Sequence, residues 1–457
     1  MRFAVFLMMA VSCFSYSALA QTLTLKEAVR ISADSHPKVL EATSDYRIAA
    51  ARLRQSTGRY APTLDATGTI GPQFVDKPNS LAVDDNREWK TQRQAEVSAS
   101  LVLFDGFNRA NDVYARIANL NASSYAILDR TEQIALAAVE AYVDVLRHRN
   151  ILVIAQNNVA NHQSYLSQIN RSYENGGATS GDVAQARERL RAAEKVISDV
   201  HQAVGLANAK FAAIVGREPQ RLKMPSNPKN LPSSVGQAIA TARSNHPALK
   251  SGEMAVEQSE FERQQAKSAY LPTLSLDGSA SIGEDVGGTS GVDNEFFVGM
   301  RMSWNLFDGG IKNARERERI EQVALRKHQL DQARRDVDLA VRDAWVKKTT
   351  VDEQVRDLRA QLSEAQGMVD AFKQEYEVGT RSYFDLMTAE SNRFNIRIEL
   401  SSAQSIAQFS RYQLLGATGR LLDYFGIAPP EGGEIVSQPD NALGFALSNG
   451  VVIKPLN

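Results

Sequence analysis

The chain has a single cysteine, Cys13, and it lies within the first twenty residues. Everything after it is free of thiols, so disulfides and thiolate metal cages are excluded there, as suits an oxidising compartment. Beyond those twenty residues no stretch approaches the ~20 consecutive apolar residues that a membrane helix needs. Charge of one sign is missing too: 52 Lys and Arg face 53 Asp and Glu. The charges alternate locally, as in RERERIEQ (315–322), which marks solvated helix faces and gives no reason to expect nucleic acid. No GxSxG, HExxH or P-loop occurs, so the common hydrolase, zinc-protease and nucleotide motifs are absent and no catalytic residue, metal or cofactor is assigned. The six histidines show no ligand spacing. His36 and His246 precede prolines, and His148 and His162 fall on a helix seam where packing is the expected role. Glycine and proline are the most telling absences. Residues 107–175 contain neither, and 311–378 contain only Gly367. Unbroken, each would be a helix of roughly 100 Å, far longer than a globular helix.

The first twenty residues differ from the rest. Met1-Arg2 is a short basic start, Phe3 to Val11 is apolar, and Ala18-Leu19-Ala20 supplies small residues before Gln21. This reads as a signal peptide, 1–20, cut after Ala20. Lipidation at Cys13 is the competing reading, with Ala10-Val11-Ser12 a poor lipobox.

The chain then repeats itself. Ser35-His36-Pro37 matches Asn245-His246-Pro247, and Tyr60-Ala61-Pro62-Thr63-Leu64 matches Tyr270-Leu271-Pro272-Thr273-Leu274, both offset by 210. LFDG at 103–106 recurs at 306–309, and from there the offset is 203: Tyr173 with Tyr376, Gly176 with Gly379, Asp182 with Asp385. A duplicated half is implied rather than a solenoid. The boundaries expected are a first repeat at 21–224, a second at 225–425 and a C-terminal tail at 426–457, rich in Pro and Gly at its start.

Within each half the hydrophobic period changes from two to about 3.5. Leu64, Ala66, Gly68 and Ile70 alternate with Thr63, Asp65, Thr67 and Thr69, and Ala95, Val97, Ala99, Leu101 and Leu103 form a second such run. Leu274, Leu276, Ala280 and Ile282 repeat the pattern, followed by Phe296, Val298, Met300, Met302, Trp304 and Leu306. Each run has about the length of a tilted membrane strand, ~9–11 residues, apolar on one face and polar on the other. A half-buried sheet of a soluble sandwich is the bland alternative. It would need further strands to cover the apolar face, and none are evident. The helices carry 4-3 spacing, as in Val351, Val355, Leu358, Leu362, Ala365, Val369, Phe372 and Tyr376, which predicts coiled-coil packing. Each half is therefore strand, strand, long helix out, tight turn, long helix back. Four strands leave an open sheet, which lipid does not tolerate, so closure requires several chains. At the junctions Asp105 and Asp308 are expected to cap the helices, while Gly106 and Gly309 allow the change of direction.

The doubled strand-strand-LFDG-helix pattern, the YxxG…D turns at 173–182 and 376–385, and above all YEVGTRSYFDLMTAESNRFN (376–395) resemble the TolC family of outer-membrane ducts over roughly residues 22–425. The resemblance implies a mainly α protein with β, a homotrimer whose twelve strands form a barrel in the outer membrane of a Gram-negative bacterium. An α-helical barrel would continue it into the periplasm. It also implies a periplasmic adaptor protein and an inner-membrane ABC exporter or proton-driven pump as partners, with protein or small-molecule cargo. The turn and the ATGRL ending (417–421) lean toward type I secretion. By position, Tyr376 and Arg381 would be gate links reaching Asp182. Asp385 would belong to a pore constriction, in which Thr388 stands where a second ring of aspartates is expected. The alternative from another class is an exported coiled-coil protein without a pore.

Overall fold

The computed structural model describes residues 22–75, 89–288 and 290–432. The signal peptide, Cys13 and most of the C-terminal tail lie outside the described residues. The elements run α1 (Leu25–Ser35), α2 (Pro37–Gly58), β1 (Thr63–Phe74), β2 (Trp89–Phe104), α3 (Asn108–Glu174) and α4 (Ser180–Val215). The same order then returns as α5 (Val235–Asn245), α6 (Pro247–Lys267), β3 (Thr273–Glu284), β4 (Val292–Ser303), α7 (Ile311–Glu377) and α8 (Tyr383–Ala417), with a short α9 (Leu421–Phe425). The protein is mainly helical with one antiparallel sheet. Two compact units cut across this doubling, each taking segments from both halves. Within the described residues one comprises 22–36, 134–231 and 344–415, the other 37–133, 232–343 and 416–432.

The second unit contains the sheet, ordered β1-β2-β3-β4 and antiparallel throughout. Cα partners in such a ladder share a face. Ala66 pairs with Val97, Val97 with Ala280 and Ala280 with Phe296, so the apolar set of every strand falls on one side. One step along, Asp65 pairs with Ser98, Ser98 with Ser279 and Ser279 with Phe297, which makes the other face polar apart from Phe297 and from Val102, the partner of Ser275. Hydrogen bonds knit this polar face. Asp277 accepts from Ser100 Oγ at 2.8 Å, Ser275 Oγ at 3.1 Å and Arg301 Nε at 2.9 Å. Nothing among the described residues covers the apolar face: Leu64 is 74% exposed, Phe296 79% and Met302 67%. A soluble half-buried sheet would hide such residues. No helix among the described residues is long and apolar enough to cross a membrane.

The strands are longer than the alternation suggests, because β2 begins at Trp89 with the polar run WKTQRQ. Hydrophobicity does not mark that run; its pairing with β1, down to Phe74 against Trp89, holds it as strand. Those two rings lie 5.6 Å apart. At the other end β4 stops at Ser303, and Trp304 leaves the ladder to donate its Nε1–H to the Tyr270 carbonyl at 3.1 Å.

Each aspartate of the repeated LFDG caps the helix that follows. Asp105 Oδ2 accepts from the Arg109 backbone N–H at 3.1 Å and from Arg109 Nε at 2.9 Å. Asp308 Oδ2 accepts from the Lys312 N–H at 3.0 Å, and its Oδ1 accepts from Gly310 at 3.1 Å. Both carboxylates therefore satisfy an orphan amide of the first helical turn. The chain reverses through left-handed backbone at Gly106 (φ +64) and Gly309 (φ +70). At Gly106 a side chain would meet the Ser268 carbonyl at 2.8 Å as well as being strained, so only glycine fits.

The face assignment is testable by substitution. Ala280→Arg puts a charge among Val97 and Phe296 and should cost ~2–4 kcal/mol near a bilayer midplane, lowering the yield of membrane-inserted protein. Ser279→Arg, on the polar face, should insert like wild type. Equal yields, or the reverse order, would show that the faces are assigned backwards.

Candidate functional site

The site lies at the two turns that join α3 to α4 and α7 to α8, in the first compact unit. Both turns are built alike. Gly176 (φ +79) and Gly379 (φ +81) end their helices in left-handed conformation. The Gly176 N–H donates to the Tyr173 carbonyl and the Gly177 N–H to Ser172, at 3.0 and 2.8 Å. The second turn repeats this pair of bonds, Gly379 to Tyr376 at 3.0 Å and Thr380 to Glu375 at 2.9 Å. This doubly bonded glycine stop satisfies the last carbonyls and reverses the chain in few residues.

The returning helices start on matched carboxylates. Asp182 Oδ2 accepts from the Thr179 N–H and hydroxyl, both at 2.8 Å, while the Asp182 N–H donates to Thr179 Oγ1 at 3.2 Å. The Thr179 backbone bond, then its hydroxyl, hold the Asp182 carboxyl below the usual range. Asp385 shares two of these three bonds with Ser382, whose hydroxyl donates to Oδ2 at 2.8 Å and accepts from the Asp385 N–H at 3.2 Å.

Beyond these shared parts the turns differ in chemistry. Arg381 donates from Nε to Glu375 Oε2 at 2.8 Å, lies 4.0 Å from Asp385 Oδ2, and stacks its guanidinium 4.2 Å over the Phe372 ring. The Tyr376 ring sits 6.1 Å from the Tyr383 ring. Burial, and secondarily the negative charge of Asp182, push the Tyr376 phenol upward. Asp182 thus lies within electrostatic reach of Tyr376. Among the described residues no hydrogen bond or ion pair joins either Tyr376 or Arg381 to it; Arg381 engages Glu375 of its own turn. The matching Tyr173 of the first turn is half exposed. Thr388 donates its hydroxyl to the Phe384 carbonyl at 2.9 Å, one turn back on α8.

Behind the turns, Tyr165, Ile169, Val183, Ala186, Val369, Leu386 and Ala389 form a buried cluster drawn from α3, α4, α7 and α8. A polar knot is set into this packing. Tyr165 Oη donates to Glu390 Oε1 at 2.7 Å, and Arg393 Nη2 pairs with Glu390 Oε2 at 2.5 Å. Arg393 Nη1 also donates to Gln366 Oε1 at 2.8 Å. Glu390 is 5% exposed. His162 is buried as well, and desolvation depresses its pKa against the opposing pull of Glu390. Sequence reading missed Glu375 and Glu390. The signal for Glu390 was present: Arg393 interrupts an apolar seam where the first repeat has Leu190, and a buried arginine demands a carboxylate. Among the described residues no cluster of His, Cys, Asp or Glu is arranged to hold a metal ion.

An uncovered lipid-type sheet face with paired long helical hairpins and glycine-stopped turns defines an export channel protein of the outer membrane. The family model described as outer membrane efflux protein matches residues 28–217 and 238–420, and the chain belongs to this family, that of TolC. It is 28% identical over 335 residues to the outer membrane efflux protein BepC of Brucella suis, covering 73% of this chain and 74% of BepC. It is 22% identical over 433 residues to the alkaline protease secretion protein AprF of Pseudomonas aeruginosa, covering 92% and 87%. Its fold is similar to the outer membrane channel CmeC of Campylobacter jejuni, with a TM-score of 0.76 at 15% identity, covering 87% and 86% of the two chains.

The capping carboxylates give a pH test. Because the Asp182 pKa is lowered in the folded state, its contribution is complete above the ordinary carboxylate pKa of ~4 and is lost as pH falls through the folded value. The protection of the Thr179 amide, its exchange rate compared with the intrinsic rate at the same pH, should fall on that acid side in the wild type. Asp182→Asn should show the lower protection already at neutral pH, with little further change on acidification.

Proposed function

We propose that three copies of this chain close a twelve-stranded outer-membrane barrel and continue it into the periplasm as an α-helical tunnel. The observation that carries this reading is the sheet: four strands in one register, one apolar face uncovered, and β1 and β4 each with one side unpaired among the described residues. Backbone groups left unpaired in hydrocarbon cost several kcal/mol each, so such edges pair with another copy. The duct is the exit of a tripartite exporter. A periplasmic adaptor joins it to an inner-membrane ABC exporter or proton-driven pump, which supplies the energy; the duct itself performs no covalent chemistry. Cargo is protein or small molecules. BepC is named for efflux and AprF for protease secretion, and the turn at 376–395 together with ATGRL (417–421) favours secretion.

The gate in this reading is the ring of second turns. Tyr376 and Arg381 act as links toward Asp182, within a protomer or across to the next. The Asp182 charge felt by Tyr376 supports the first of these links. Arg381, held by Glu375 and riding on Phe372, is presented as a preorganised fork for a carboxylate. Asp385 lines the constriction, and Thr388 leaves the next position without charge.

Purified in detergent, the protein should migrate as a trimer and form pores in planar bilayers. A well-behaved monomer, soluble without detergent, would overturn the assembly. Combined Tyr376→Phe and Arg381→Ser should keep the trimer and raise single-channel conductance severalfold. Wild-type conductance in that variant would move the gate elsewhere. Asp385→Ala should relieve block by divalent cations with the closed conductance nearly unchanged; block persisting at wild-type strength would remove Asp385 from the constriction.

A further inference from the structure

The second compact unit contains a cavity of about 500 Å³ between α2, α3, α6 and α7. Its lining is unusual for a chain whose charges balance. Arg52, Arg59, Arg116 and Arg319 converge on it from three helices, against two carboxylates, Asp112 and Glu262. Both carboxylates are already spent. Asp112 Oδ2 accepts from Ser56 Oγ at 2.6 Å and from Arg59 Nη1 at 3.4 Å, and its Oδ1 lies 3.5 Å from Arg116 Nε. Glu262 Oε2 accepts from Arg319 Nη1 at 3.0 Å, and its Oε1 accepts from Gln258 at 2.8 Å. A guanidinium offers five N–H donors. These bonds use one or two on Arg59, Arg116 and Arg319, and Arg52 makes none among the described residues. The cavity therefore carries an excess of two positive charges and many donors without acceptors.

Arg116 and Arg319 are equivalent residues of the two repeats, whereas Arg52 corresponds to Glu262. The excess of positive charge is therefore not imposed by the duplication, which would by itself have set acid against acid or arginine against arginine on α2 and α6. The cavity also lies close to the strand ends. Arg59 stands four residues before Thr63, where β1 starts, and Asp112 seven residues after the junction aspartate Asp105. From Asn108, where α3 starts, the four helical steps to Asp112 rise about 6 Å, comparable to the depth of a lipid head-group layer.

We propose that this cavity binds a phosphate-bearing anion, supplied either as the head group of an anionic phospholipid or as a free phosphate compound. Several guanidinium forks suit a group with three or four exposed oxygens better than a single carboxylate, because each fork takes two oxygens in parallel. The volume is within the range of small-molecule sites and exceeds what a bare phosphate fills. The site stands on its own charges and does not depend on the gate.

The test is calorimetric titration of the whole protein in neutral detergent, with inorganic pyrophosphate in one arm and dioctanoyl phosphatidylglycerol in the other. Saturable binding of pyrophosphate identifies a soluble phosphate site; binding of the lipid alone identifies a head-group site. Combined Arg52→Gln and Arg116→Gln should weaken whichever binds at least about tenfold, as loss of two charge-assisted forks requires. Glu262→Gln, which removes negative charge from the lining, should tighten it, so the sign is tested in both directions. Arg191→Gln with Arg356→Gln, neither of which lines the cavity, should leave affinity unchanged. No binding in either arm, wild-type affinity in the Arg52/Arg116 variant, or an equal loss in the Arg191/Arg356 control would overturn the proposal.

Discussion

The structure depends on the demand that every backbone N–H and C=O find a partner where water is missing. A sheet with an apolar face earns its place in lipid only if its ladder is complete. Within the described residues, β1 bonds only to β2, and β4 only to β3. That single constraint links the alternation in the strands to the repeat and the repeat to assembly. Two strand pairs per chain follow from the doubling, and in the proposed assembly β4 of one copy pairs with β1 of the next. The junctions obey the same demand on a smaller scale. Asp105 and Asp308 supply acceptors for amides that the helix starts leave open, one in each first helical turn.

The helical turns show why similar sequence need not mean similar chemistry. Their backbones are nearly superimposable in bonding, with the same glycine stop and the same carboxylate cap. Backbone geometry was inherited with the duplication. The side chains were not: Glu375, Arg381 and Tyr383 of the second turn stand where the first has Ser172, Ala178 and Ser180. The first turn is thus a plain reversal carrying an acceptor, Asp182. The second carries donors and rings packed to hold them in place.

Much of this was legible in the sequence. Parity of the strands can be read from residues such as Leu276 and Met300, because a period of two permits only one assignment once a single face is apolar. The seams were legible for the same reason: Val351, Val355, Leu400, Ala403 and Ala407 pack together along the predicted lines. Three things were not. The polar start of β2 carries no alternation, and only its pairing with β1 holds it in the sheet. Arg381 prefers Glu375 because the turn brings residues six apart together, a proximity fixed by φ at Gly379 rather than by any motif. The compact units could not be read from the repeat at all, because long helices carry contacts away from their own half and into the other.

The polar knot at Glu390 shows what such exceptions cost and why they are informative. Burying the Glu390–Arg393 pair removes two charges from water, and an apolar pair of the same size would pack at least as stably. The first repeat has Arg187 and Leu190 at these positions, so the knot is not a requirement of hairpin packing in general. What it adds is a fixed relation: Tyr165 on α3 can satisfy Glu390 on α8 in only one register, with Gln366 on α7 accepting from a second nitrogen of the Arg393 guanidinium. A purely apolar seam slides at little cost, whereas a hydrogen-bonded one has a single good alignment. In the proposed gate, the turns of the two hairpins need that alignment. The buried charge is therefore best understood as specifying where the turns stand, with stability supplied by the apolar cluster around it.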